Sequence, residues 1–247
     1  MKIKNKKNYM VVIPARYDST RLPGKLLIKL RGKTVLQNVW EKCVKTVGFN
    51  NVIVAAGDNK IYNFCKKKKI KSIFITKKCL TGTDRVFEVS KKIKRKYYIN
   101  VQGDEIFLKP KTILKVIHLS KEFPNHVINC MAKIKSASDF KNPSVPKVVV
   151  NKKNDLLYMS RAPIPGSKKM NFNESYRQVC VYLFNKKTLS LFGEQKKKSN
   201  NEKVEDIEIL RLLDSGLKIK MVKVSGSEIS LDTYQDLKKI RKIYENK

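Results

Sequence analysis

Arg16, Ser19, Thr20, Arg21 and Lys25 fall within ten positions of one another, directly after the apolar run 10–13. Arginine offers phosphate a planar fork and lysine a point charge, while hydroxyls and backbone N–H groups close such a cradle. A strand leading straight into this loop, through Pro14 and Ala15, is therefore a phosphate-cradle pattern. Pro14 has no N–H to give a ladder, so the strand is expected to end there. The stretch is not a Walker loop, because no G-x-x-x-x-G-K-[ST] occurs. On spacing alone, a phosphate cradle and a polar surface loop are even readings.

A second group of chemistry-bearing residues is acidic. Gln102, Gly103, Asp104 and Glu105 follow the apolar run 97–101. A carboxylate just past a strand end is placed to take magnesium through oxygen, or to cap the helix expected near Pro110. Thr81-Gly82-Thr83-Asp84-Arg85 precedes a helical pattern, and on local grounds it is foremost a helix cap. Arginine is scarce beside 46 lysines, yet Arg16, Arg21, Arg85, Arg161, Arg177 and Arg211 all lie in or beside such stretches. That placement suggests sites where bidentate geometry matters.

These groups need a scaffold, and the periodicity supplies one. Residues 34–47 show helical spacing closed by Gly48; 51–56 read as a strand, 59–69 as a helix and 72–76 as a third strand. This βαβαβ order predicts a parallel sheet with crossover helices. Further helices are expected over 85–94, 111–121, 188–192, 202–213 and 234–244, with a helical turn at 136–140. Strands are expected over 97–101, 127–132, 145–150, 156–160, 178–184 and 217–224, and a polar loop over 168–175. No G-x-G-x-x-G fingerprint or internal repeat occurs, which argues against NAD.

The 247 residues suffice for one large domain with a buried core. The five cysteines are widely spaced without C-x-x-C, and there are two histidines, so neither a zinc site nor a disulfide framework is expected. The absence of a long apolar run or an apolar leader makes a soluble, cytoplasmic protein the expectation. The net charge of +34 suggests nucleic acid, but the lysines are dispersed in short runs with no aromatic-basic motif. Only weak, sequence-independent binding is expected from such charge.

Five motifs together resemble the 3-deoxy-manno-octulosonate cytidylyltransferases (CMP-Kdo synthetases), whose opening motif reads roughly I-P-A-R-x-x-S-T-R-x-P-G-K-P-L. The first is Ile13-Pro14-Ala15-Arg16 with Ser19-Thr20-Arg21 and Pro23-Gly24-Lys25. In family order follow Thr81–Arg85, Asn100–Glu105, Ser160-Arg161-Ala162-Pro163-Ile164-Pro165, and Leu231-Asp232-Thr233 with Asp236-Leu237. The resemblance implies an α/β fold: a mostly parallel, Rossmann-like sheet flanked by helices, of the nucleotide-diphospho-sugar transferase type. It also implies a single domain 1–247 in which 155–190 leaves the sheet as a dimerisation arm.

By the same resemblance, CTP would contact Ala15, Arg16, Lys25, Thr83, Arg85 and Gln102. An anionic acceptor would meet Gln102, Arg161, Arg177, Gln178, Tyr182 and Glu208. Asp104 and Asp232 would hold Mg2+, and Arg16, Lys25, Asp104 and Asp232 would carry catalysis in a homodimer. The product would feed lipopolysaccharide, capsule or another glycan. Asp84 stands where the family has Glu, Ile106 where it has Pro, and Ala55-Ala56-Gly57-Asp58 where it has A-T-D-D. Gln178 replaces a usual His, Cys180 a usual Gly and Ile209 a usual Gln. The changes on the acceptor side point to a shifted acceptor, while the nucleotide-side residues are kept. Two rivals stand beside this reading: a same-fold cytidylyltransferase for another sugar acid or a phosphonate or phosphorylated small molecule, and a basic nucleic-acid-binding protein.

Overall fold

The computed structural model describes every residue except 1, 2, 4, 169–171, 173, 226–229, 246 and 247. Half of the polar stretch expected over 168–175 therefore lies outside the described residues. The first half of the chain runs β1 (Tyr9–Ala15), a ribbon of β2 (Lys29–Leu30) and β3 (Lys33–Thr34), α1 (Val35–Val47), β4 (Val52–Ala56), α2 (Asn59–Lys67), β5 (Ser72–Phe74), α3 (Gly82–Lys92) and β6 (Tyr97–Val101). The second half runs α4 (Pro110–Glu122), β7 (Val127–Lys133), α5 (Ala137–Lys141), β8 (Lys147–Val150), β9 (Leu156–Ser160), β10 (Tyr176–Asn185), α6 (Lys186–Gly193), α7 (Asn200–Glu205), α8 (Leu210–Asp214), β11 (Ile219–Lys223) and α9 (Tyr234–Glu245).

The main sheet is ordered β11-β7-β10-β6-β1-β4-β5. Every neighbouring pair in it is parallel except the two that β10 makes. Helices cover both faces, so β1 is buried throughout and its alternate residues feed two separate cores. Val11 and Ile13 pack on one face with Val39 of α1 and Ile113 of α4. Met10 and Val12 pack on the other with Val86 of α3 and Leu189 of α6. This mostly parallel α/β sheet is the fold class expected from the sequence.

Three expectations need correcting. β1 does not stop at Pro14, which pairs opposite Ala55 of β4. Ala15 accepts from Gly57 N at 2.8 Å on the β4 side, so the alternating backbone turns Pro14 toward β6, where pairing has already ended at Val12. A missing N–H costs nothing there. The helix expected over 202–213 is two short helices, because Asp206 adopts φ 49° and breaks it. Finally, residues 176–185 of the expected arm do not leave the sheet: β10 lies in its middle, antiparallel to both β7 and β6.

β10 changes partners along its length. Its first residues pair with β8 on one side, its last five with β6, and its register against β7 shifts between Val179 and Tyr182. The sheet forks at that irregularity, and β8 and β9 continue one branch outward.

Candidate active site

The fork and the carboxyl ends of β1 and β6 border one cleft, where ligands of open α/β sheets bind. The cleft has two lobes that share nine lining residues, among them Arg16, Arg21, Lys25, Gln102, Asp104 and Arg161. The first lobe also has Pro14, Ala15, Gly82 and Arg85 in its wall. It sets five cationic side chains against two carboxylates, a balance suited to a polyphosphate. The second adds Arg177, Gln178, Cys180, Tyr182, Glu208 and Asp232.

The lobes meet at an ion cluster. Lys25 Nζ donates to Asp104 and, at 2.8 Å, to Asp232, residues 128 positions apart in the chain. Arg21 reaches the same Asp232 oxygen at 3.1 Å and also donates to Ser144. Burial opposes the charge on Lys25, but the two carboxylates overcome it and hold the ammonium above its ordinary pKa. Burial likewise opposes ionised Asp232, and Lys25 and Arg21 outweigh it, keeping the carboxyl below its usual range. Asp236 fixes this segment by accepting from the N–H groups of Asp232 and Thr233.

Thr81 caps α3 in a reciprocal box with Asp84, so the capping role read from the sequence holds. Thr83 does not reach the cleft. Its side chain is buried, its hydroxyl accepts from Asn100, and its N–H goes to Glu208 at 3.0 Å. The break at Asp206 frees Glu208 from a helix and lets it turn to that N–H, and to Gln102 Nε2 at 3.1 Å. Burial pushes the Glu208 carboxyl up, with the Thr83 N–H opposing. Gln102 sits close because residue 82 is glycine: a Cβ there would stand 2.6 Å from Gln102 Nε2. Gly82→Ala should therefore displace Gln102 and lower kcat/KM roughly 10- to 100-fold with the fold retained, measured by steady-state pyrophosphate release and far-UV circular dichroism. Unchanged kinetics would show that Gln102 has room to move.

The expected acceptor residues divide by what already holds them. Arg161 is a staple: Nε donates to Glu205 O at 2.5 Å, Nη1 to Pro143 O at 2.9 Å and Nη2 to Asp206 O at 3.0 Å. Gln178 gives Nε2 to Asn129, which in turn donates to the carbonyls of Val179 and Val181 at the register shift. Tyr182 is buried, and burial pushes its hydroxyl well up. Arg177 differs, since its Nη2 is buried with no hydrogen-bond partner among the described residues. Sequence reasoning missed Lys147, which is fully buried and donates to Asn142 O and Arg161 O, setting the same wall. Burial and then Arg161 lower its pKa to about 8. Nothing local distinguishes it from the other lysines; its burial follows from β8 joining β10.

The donor set at the ion cluster is oxygen only, from two carboxylates that already share one cation, and this fits magnesium, which takes one or two carboxylates and completes its shell with phosphate and water. No group of three or more His, Cys, Asp or Glu side chains able to hold a metal occurs among the described residues.

The mostly parallel sheet flanked by helices has the fold of solved nucleotidyltransferases. One is an inositol-1-phosphate CTP transferase from T. maritima, at TM-score 0.69 and 17% identity over 98% of this chain and 97% of that one. The chain belongs to the 3-deoxy-manno-octulosonate cytidylyltransferase family. The cytidylyltransferase family model matches residues 10–221. The Escherichia coli 3-deoxy-manno-octulosonate cytidylyltransferase is 33% identical over 232 residues, covering 94% of each chain. The Elusimicrobium minutum protein of that name is 35% identical, covering 96% of this chain and 98% of its own. A solved CMP:2-keto-3-deoxy-manno-octonic acid synthetase complexed with CTP superposes at TM-score 0.87 with 33% identity, over 96% of this chain and 98% of that one.

Proposed function

We propose that this chain transfers CMP from CTP to a hydroxyl of an anionic sugar acid, 3-deoxy-manno-octulosonate or a relative, and releases pyrophosphate. The observation that carries this is the joint between the lobes: a cationic lobe for a triphosphate meets an arginine-bearing lobe at Lys25, Asp104 and Asp232. The acceptor oxygen bonds to the α-phosphorus, the bond to the bridging oxygen breaks, pyrophosphate leaves with the electron pair, and the hydroxyl proton passes to water. Such a transfer is positioning and charge neutralisation, tasks for Arg16, Arg85 and Lys25 on the triphosphate. Asp104 and Asp232 would hold magnesium, which when bound neutralises phosphate charge and favours ionisation of the attacking hydroxyl. Arg177 Nη2, which has no hydrogen-bond partner among the described residues, offers an acceptor carboxylate a charge-assisted hydrogen bond.

No helix among the described residues is long and apolar enough to cross a membrane. A cytoplasmic homodimer in lipopolysaccharide synthesis, with β8 and β9 at the contact, is part of the same proposal.

The test is pyrophosphate release with CTP or ATP, and with 3-deoxy-manno-octulosonate, related sugar acids and small phosphonates in competition. CTP should be used far better than ATP. On the acceptor side the cleft presents Gln178 and Cys180, where the family usually has His and Gly. Neutral Gln cannot supply a charged donor, and Cys fills space. A relative of 3-deoxy-manno-octulosonate should accordingly match or exceed it in kcat/KM. A wide margin for 3-deoxy-manno-octulosonate itself would overturn the shifted preference and leave the transfer reading intact; equal rates with ATP would overturn the nucleotide assignment.

A further inference from the structure

We infer that Lys25 is a resident cation: its ammonium occupies the position between Asp104 and Asp232 and keeps a divalent metal out until the triphosphate arrives. This rests on the reading of those two carboxylates as metal ligands.

Three observations lead to it. The ammonium already takes oxygens from both carboxylates, so a metal bridging them must eject it. Arg21 holds the Asp232 oxygen that Lys25 uses, so a second cation defends that carboxylate. The surroundings also disfavour further positive charge: the lobe carries Arg16, Arg85 and Arg161 beside these two, five cations against Asp104, Asp206 and the adjoining Asp232. Adding a doubly charged ion there without an anion raises an already positive local charge.

A triphosphate reverses that balance. Its oxygens give Lys25 and Arg21 new partners, release both carboxylates, and bring ligands that a metal shell of two aspartates lacks. The start of the loop lets Lys25 do both jobs. Gly24 lies at φ 68° and opens a single turn, Lys25–Leu27, so the side chain leaves from the rim of the cleft at the junction of the lobes. Metal and nucleotide binding are therefore coupled through one lysine, and by reciprocity each strengthens the other. Lys25 thus sets the order of loading as well as contacting phosphate, and a sugar acid entering an enzyme without nucleotide meets no metal.

Mn2+ serves as the probe, with free ion read by electron paramagnetic resonance in the absence of nucleotide. The wild-type chain should bind it weakly. Lys25→Met, which keeps length and removes charge, should tighten binding by about tenfold, within the usual range of coupling between sites. Lys25→Gln should do the same, and circular dichroism confirms that either variant is folded. Adding Asp232→Asn to Lys25→Met should cancel the gain, which places it at these carboxylates. CTP should strengthen Mn2+ binding far more in the wild type than in Lys25→Met. Mn2+ binding by both Lys25 variants that is no tighter than wild type would overturn the inference. Whether the transfer reaction itself fails is read separately, by pyrophosphate release from the wild-type enzyme.

Discussion

Asp104→Asn and Asp232→Asn should each lose roughly 10²- to 10³-fold of pyrophosphate-release activity, the scale seen when one charge-stabilising group is removed from a phosphoryl- or acyl-transfer site. Each substitution removes a negative oxygen and keeps the shape. Both side chains are partly exposed, and Lys25 keeps the other carboxylate in either variant, so the folded chain persists. If the proposed metal role is right, the loss should deepen as magnesium is made limiting, because one carboxylate would then have to hold the metal alone. Assays across a magnesium series, with thermal denaturation as control, give the answer. Full activity for either variant at limiting magnesium would remove that residue from the metal site.

Arg211→Met should give the largest loss of stability. Arg211 is fully buried, bidentate to Glu202 at 2.6 and 2.7 Å, bonded to Asp84 at 2.9 Å and stacked on Phe192. Removing it strands Glu202, which has no exposure, and breaking such a buried pair costs about 3–5 kcal/mol. For a chain of this size that lowers Tm by roughly 6–20 °C. Replacing Glu202 as well, with an apolar residue, should recover part of the loss, since the stranded charge is its main source. Differential scanning calorimetry decides it. A shift below about 2 °C would mean that Glu202 finds another partner or a proton. Activity should fall along with stability, because Asp84 also closes the cap of α3, which carries Gly82 and Thr83.

The parts of this molecule that local patterning controls were legible. The apolar run 10–13, the helical spacing of Val35, Val39 and Cys43, and the apolar run 97–101 each announce an element, because a strand buried on both faces and a helix buried on one require those patterns. The motif residues Arg16, Lys25, Gln102, Asp104, Arg161, Arg177, Glu208 and Asp232 do gather at one cleft. What those side chains touch was not legible. Thr83 turns inward because Asn100, on a strand beneath it, takes its hydroxyl. Arg161 is held by carbonyls at positions 143, 205 and 206, which no spacing reveals. The break at Asp206 sits inside a pattern that reads as one helix. It exists because Glu202 must reach Arg211 while Glu208 reaches Thr83, and a continuous helix could not satisfy both.

The central place of β10 sets a timetable for synthesis. β6 and β7 are made first, yet each has one flank that only β10 covers. From Val101, where β6 ends, to Asn185, where β10 ends, the ribosome must add 84 residues. At the usual elongation rate of about 5–20 residues per second, that takes roughly 4–17 s. From the completion of β7 at Lys133 until β10 arrives, the nascent chain carries both unpaired edges flanked by apolar side chains, the condition under which partly made proteins stick to one another. The pairing of β10 with β6 is distant in sequence, so loop-closure entropy delays it further, and β11 joins the outer flank of β7 later still. A fragment ending before residue 176 keeps both edges permanently. The first lobe of the cleft, although lined mostly by the first 105 residues, thus depends on a strand from the last third of the chain to cover the inner edges of the sheet it stands on.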